Sequence, residues 1–115
     1  MIAEELLEAL LEFRRERTWE EFHTRRNLSA ALSVEAAELL DEFRWARDSE
    51  IAGVVDRQRS SIESELANVA IILTYLTHDL HVSLDEAVRK KLHENRRKYP
   101  IEKANGNSLK HNQLR

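Results

Sequence analysis

Glu35 lies three residues after Leu32 and four before Leu39, inside an apolar stripe that also includes Leu28, Ala31 and Phe43, and Glu38 follows one turn on. A second stripe, Ile62, Leu66, Val69, Ile72 and Leu76, is interrupted in the same way by Glu65, with Asn68 one turn further. Residues three or four apart are neighbours on a helix surface, so two antiparallel helices would turn Glu35, Glu38, Glu65 and Asn68 towards one another. A single carboxylate at the edge of a stripe ordinarily reaches solvent. A convergent set behaves differently. Carboxylates about 6 Å apart repel by roughly 3 kcal/mol per pair at an effective dielectric near 20. Three such pairs approach the whole stability of a small domain, about 5–15 kcal/mol. The cluster can persist by protonating, by taking up water or by holding a cation. Oxygen donors without Cys or a partner His favour Mg²⁺, with Mn²⁺ as the alternative, over zinc. Mg²⁺ keeps positions open for water and phosphate oxygens, which points to phosphoryl chemistry. A di-iron carboxylate bundle would need Glu-x-x-His on two helices, and the chain has one such run, Glu20-Glu21-Phe22-His23, outside the long helices.

The elements that must position these groups are helical. Leu6, Leu7, Leu10, Leu11 and Phe13 predict a first helix from about Ile2 to Arg17. Thr18-Trp19-Glu20-Glu21 reads as a capping box opening a short turn through His23. A second helix is expected from about Asn27, as N-cap, to Arg44, then a loop from Trp45 to Val55 containing Asp48, Ser49 and Gly53. A long third helix runs from about Asp56 to Leu80, and Ser83-Leu84-Asp85-Glu86 starts a fourth that Pro100 ends. The expected architecture is all-α: a four-helix bundle protomer with one domain over residues 1–100 and a polar, flexible tail over 101–115. Helix three is apolar nearly all round from Leu66 to Leu76, and such a helix must be covered on more than one side. A homodimer or homotetramer, as a dimer of dimers, is therefore expected.

Composition excludes several classes. With 115 residues there is room for one domain, and the absence of Cys removes disulfides, zinc-thiolate sites and cysteine nucleophiles. It also suits the cytoplasm. No apolar run nears the roughly 20 residues that span a bilayer, and the opening Met1-Ile2-Ala3-Glu4-Glu5 is acidic where a signal peptide would be basic. A net charge of −3 argues against a general nucleic-acid binder.

The spacing Glu35-x-x-Glu38 then Glu65-x-x-Asn68 resembles the ExxE…ExxD signature of the MazG-like all-α nucleoside triphosphate pyrophosphohydrolases. Phe13, Glu16-Arg17-x-Trp19, Phe22-His23, Arg26-Asn27-Leu28, Phe43-x-Trp45, Lys91 and the run from Asn95 to Pro100 make the pattern similar to the dCTP pyrophosphatase branch. The resemblance covers nearly all of residues 6–100. It implies Mg²⁺-dependent hydrolysis between the α and β phosphates of a dCTP-like nucleotide, giving the monophosphate and pyrophosphate, by a dimer or tetramer that clears non-standard or excess deoxynucleotides. It implies that Glu35, Glu38 and Glu65 hold metal, with Glu35 or Glu38 as general base. Asn68 stands where the family has Asp. Its amide keeps one oxygen able to ligate a metal, but loses a charge and offers an NH₂ group. Turnover is therefore expected to be slow or absent, which keeps a second function open, a nucleotide-binding or regulatory protein on the same fold.

Trp19 and Trp45 flank helix two, and each could be an ordinary core or loop-anchoring aromatic; His23 could be a surface or capping residue. The resemblance draws all three towards recognition of a pyrimidine base. Lys91, Asn95 and Tyr99 recur every four residues on helix four and would suit the β and γ phosphates. The cations around them also complement the helix dipole. As a nucleic-acid patch they are poor, being interrupted by Glu86, Glu94 and Glu102 without an aromatic ladder.

Overall fold

The computed structural model describes residues 2–113, and every regular element among them is helical. They form two compact units that divide after His81.

The larger unit holds α1 (Glu4–Glu16), α2 (Arg25–Asp41), α3 (Ile51–Arg57) and α4 (Arg59–Asp79). The direction of packing can be read from paired residues. Ser61 donates to Glu42, and Asn68 lies at Glu35. Going up α4 therefore goes down α2, and the two helices are antiparallel. The Tyr75 hydroxyl donates to the Leu10 carbonyl at 2.7 Å and Arg14 pairs with Asp79 one turn on, so α1 runs parallel to α4. Leu28, Val54 and Tyr75 are the buried apolar residues. Arg14, 6% exposed, is buried with them.

The Arg14 guanidinium donates to both Asp79 carboxylate oxygens, at 3.0 and 2.6 Å. That pairing holds the Asp79 carboxyl below its ordinary value. Burial, followed by the charge of Arg14, pushes the His23 imidazole below its own. A depressed folded value means that the unfolded chain takes up the proton first as pH falls. Stability should therefore decline below the ordinary histidine range through His23, and again through the acid range through Asp79. Urea unfolding over a pH series should lose the lower step in Asp79→Asn. Asp79→Ala, which strands a buried guanidinium, should cost about 3–5 kcal/mol at neutral pH.

Several expected boundaries move, for local reasons. Thr18 adopts a left-handed φ of 54° with no capping bond, so the predicted box gives way to a 3₁₀ turn at Trp19–Glu21. Thr24, not Asn27, caps α2 by accepting from the Asn27 amide at 3.1 Å, and the Asn27 side chain instead donates to the Phe22 carbonyl at 2.9 Å. The expected loop from Trp45 to Val55 contains a 3₁₀ turn at Asp48–Glu50 and most of α3, whose Gly53 makes room for the Arg57 guanidinium. The long third helix is broken at Gln58, which ends α3 and precedes α4. Leu66, placed on the inward stripe by its spacing, is 51% exposed.

The second unit carries α5 (Leu84–Lys98) and α6 (Ile101–Ala104), with a further 3₁₀ turn at His111–Gln113. Ser83 caps α5 by accepting from the Glu86 amide at 3.3 Å, the expected start. Among the described residues no helix is long and apolar enough to cross a membrane.

Candidate metal centre and adjoining cavity

The antiparallel register of α2 and α4 brings Glu35, Glu38 and Glu65 together, with one oxygen from each lying within 4.8 Å of the others. Asn68 joins them, its Nδ2 donating to Glu35 Oε2 at 3.4 Å. The four positions that interrupt the apolar stripes thus share one locus.

The electrostatics at this locus are those of an incomplete site. Glu65 Oε2 is buried with no hydrogen-bond partner. The Glu65 carboxyl is pushed up to about 7, first by its hydrogen bond with Glu35, then by burial, then by the charges of Glu38 and Glu35. The cluster can therefore relieve its repulsion by holding a proton closer to neutrality than an isolated carboxyl would. A cation would displace that proton and occupy the unpartnered oxygen. Three carboxylates, an amide oxygen and no sulfur suit a hard divalent cation, so the residues present fit such an ion.

One turn away along the same two helices is a cavity of about 480 Å³. Leu28 and Ala31 of α2 and Ile71 and Ile72 of α4 give it an apolar floor, and Phe13, Trp19, His23 and Tyr75 supply aromatic walls. The Trp19 ring meets Phe13 edge to face at 5.5 Å, and His23 lies 5.2 Å from Tyr75. The left-handed turn at Thr18 is what doubles the chain back to set Trp19 beside α1.

Trp19 and His23, two of the three predicted base-contacting residues, line this cavity. Trp45 does not: it is 85% exposed and carries the Arg44 guanidinium 4.8 Å over its ring. Lys91 and Asn95 lie one turn apart on α5, and Tyr99 caps that helix by donating its backbone N–H to the Asn95 carbonyl at 2.8 Å. Lys91 Nζ is 3.5 Å from Glu94. These three belong to the second unit.

Arg14, Asp79 and Tyr75 were not among the sequence candidates. A signal for the first two was present: Arg14 continues the Leu7, Leu10, Leu11 stripe and Asp79 follows Leu76 by three. This is the same intrusion of charge into an apolar face that singled out Glu35.

Comparison with known proteins agrees with the all-helical fold. The MazG-like family matches residues 30–114. The chain is 38% identical over 105 residues to dCTP pyrophosphatase 1 of Mus musculus and 41% identical to that of Homo sapiens, in each case across 90% of this chain. It spans 62% of the length of these curated relatives. A crystal structure of a pyrophosphatase from Archaeoglobus fulgidus superposes with a TM-score of 0.82 at 43% identity, covering 84% of this chain and 91% of that one.

Proposed function

We propose that this chain, which belongs to the MazG-like family, hydrolyses a nucleoside triphosphate, dCTP or a modified dCTP, to the monophosphate and pyrophosphate with Mg²⁺. The observation that carries the proposal is the convergence of Glu35, Glu38 and Glu65, with an unpartnered buried oxygen, one turn from an aromatic cavity. The similarity to dCTP pyrophosphatases supports it.

In this reading Glu35, Glu38 and Glu65 hold the ion, with the Asn68 amide oxygen as a weaker fourth donor. Mg²⁺, when bound, neutralises charge on the phosphates and acidifies water. The base enters the cavity against Trp19 and His23, with Trp45, exposed in the single chain, as the third candidate to contact it. Lys91, Asn95 and Tyr99 are the sequence's candidates for the β and γ phosphates. Glu35 or Glu38 takes the proton of the attacking water at a carboxylate oxygen. The water oxygen bonds to phosphorus as the α–β anhydride bond breaks, and pyrophosphate leaves.

A second reading, a nucleotide-binding protein with little turnover, is favoured by one contact. Asn68 presents its NH₂ to Glu35, so one carboxylate oxygen is committed to a donor that repels a cation. Incubation with a panel of dNTPs and Mg²⁺ while following pyrophosphate release separates the two. Release from dCTP above the other nucleotides is the expected result. Binding by calorimetry without release would select the second reading, and neither binding nor release would defeat both.

The proposal includes association into a dimer or a dimer of dimers. Val34, Leu40 and Leu66 are all more than half exposed in the single chain, and association would take such apolar side chains out of water. Sedimentation should give a multiple of 13.5 kDa, reduced by Leu66→Glu. A monomer at micromolar concentration would overturn this part.

A further inference from the structure

We propose that Arg14 is a positioning residue for the cavity: clamped by Asp79, it fixes the His23 proton on Nε2, so that the cavity meets a ligand with an imidazole N–H donor and selects a heteroaromatic ring bearing an acceptor atom. The second half rests on the reading that a nucleobase occupies the cavity.

Geometry carries the tautomer. A guanidinium has five donors and no acceptor. Its NH1 lies 3.4 Å from His23 Nδ1, so Nδ1 must accept. A neutral imidazole has one N–H, which is thereby left on Nε2. Arg14 has little freedom to vary this arrangement. Both its terminal nitrogens are bound to Asp79, its CZ sits 4.8 Å over the Tyr75 ring, and Tyr75 is itself tied to the Leu10 carbonyl.

The surrounding charges agree. His23 faces Arg14 from α1, Asp79 from α4 and Glu20 from the 3₁₀ turn; burial and Arg14 lower its proton affinity, against the smaller opposing pull of Asp79 and Glu20. At neutral pH the ring is therefore an uncharged donor. In an apolar cavity an N–H left without a partner costs more than a matched bond gains. A ring that offers a carbonyl oxygen or an unprotonated nitrogen is accepted, and one without either is refused.

Two-bond ¹H–¹⁵N spectra of the His23 ring, assigned with His23→Gln, test this in the full chain. The expected pattern is a protonated Nε2 with a titration midpoint below the ordinary histidine value. Arg14→Lys, which keeps a donor, should preserve the pattern. Arg14→Met should give mixed tautomers and raise the KM for dCTP about fivefold, the loss of roughly one hydrogen bond. Addition of α,β-methylene dCTP to the unaltered protein should move the Nε2–H resonance and leave Nδ1 in place, a result independent of whether Arg14→Met folds. A protonated Nδ1, or an Nε2–H that ignores bound nucleotide, would overturn the proposal. Failure of any nucleotide to bind would instead sink the nucleotide reading and the base selection that rests on it, while the spectrum still decides the tautomer.

Discussion

Glu35→Gln should lower pyrophosphate release from dCTP by about 10²–10⁴-fold while raising the melting temperature measured without metal. The two signs come from the same atoms. Glu35 is the largest cause of the raised proton affinity of Glu65, and it contributes like charge to a cluster that also contains Glu38. An amide in its place keeps a hydrogen-bonding group and removes that repulsion, so the unliganded fold gains. The same change deletes a carboxylate proposed to hold Mg²⁺ or to take the proton of water, so catalysis loses. Paired stability and activity measurements separate this from a structural role. A variant that melts lower and loses activity in proportion would mean that Glu35 supports the fold. Unchanged pyrophosphate release would remove it from the site.

Asn68→Asp should act in the opposite sense on both measurements. It adds a fourth carboxylate and raises the mutual repulsions from three pairs to six. It also deletes the Asn68 to Glu35 hydrogen bond at 3.4 Å. Without metal the variant should be less stable by about 1–3 kcal/mol, since each pair is worth up to roughly 3 kcal/mol before protonation and solvent moderate it. With Mg²⁺ the order reverses, because stabilisation by a ligand grows with its affinity for the native state. Pyrophosphate release should rise by about tenfold or more, the range seen when the groups around a metal are completed. Thermal unfolding with and without Mg²⁺, beside the hydrolysis assay, reads all three effects. A variant with the parent's melting temperature in both conditions would show that residue 68 does not sense the cluster.

The carboxylates were legible in the sequence because helical periodicity is a strong signal and charge within an apolar stripe is costly. Spacing alone placed Glu35 and Glu38 on the face that meets Glu65 and Asn68, and the antiparallel register of α2 and α4 does bring them together. The pairing of His23 with Arg14 and Asp79 is harder to read, because the latter two lie near helix ends, where cations and anions usually face water. Their convergence depends on α1 running parallel to α4, which no local pattern encodes. The break at Gln58 was hidden for a related reason: no Gly or Pro marks the junction, and Gly53, which reads as a loop signal, sits within a helix. The place of Trp45 outside the cavity was not legible either, since spacing along the chain does not say which surface an aromatic ring meets.

The cavity and the acids occupy successive turns of the same two helices, and this gives the protein a ruler. Ala31 of the cavity floor and Glu35 of the cluster are four residues apart on α2, a rise of about 6 Å. For a nucleotide seated by its base, the phosphorus nearest the sugar is the one that comes first to the acids, and the terminal phosphates lie beyond. Under the proposed function, the choice of which anhydride bond to break would then be set by helical pitch, without the acids themselves having to distinguish one phosphate from another. Inserting four residues into each helix between cavity and acids would move the acids about 6 Å outward and turn them by only about 40° around each helix axis. The bond cleaved would shift along the triphosphate with them, towards release of inorganic phosphate in place of pyrophosphate.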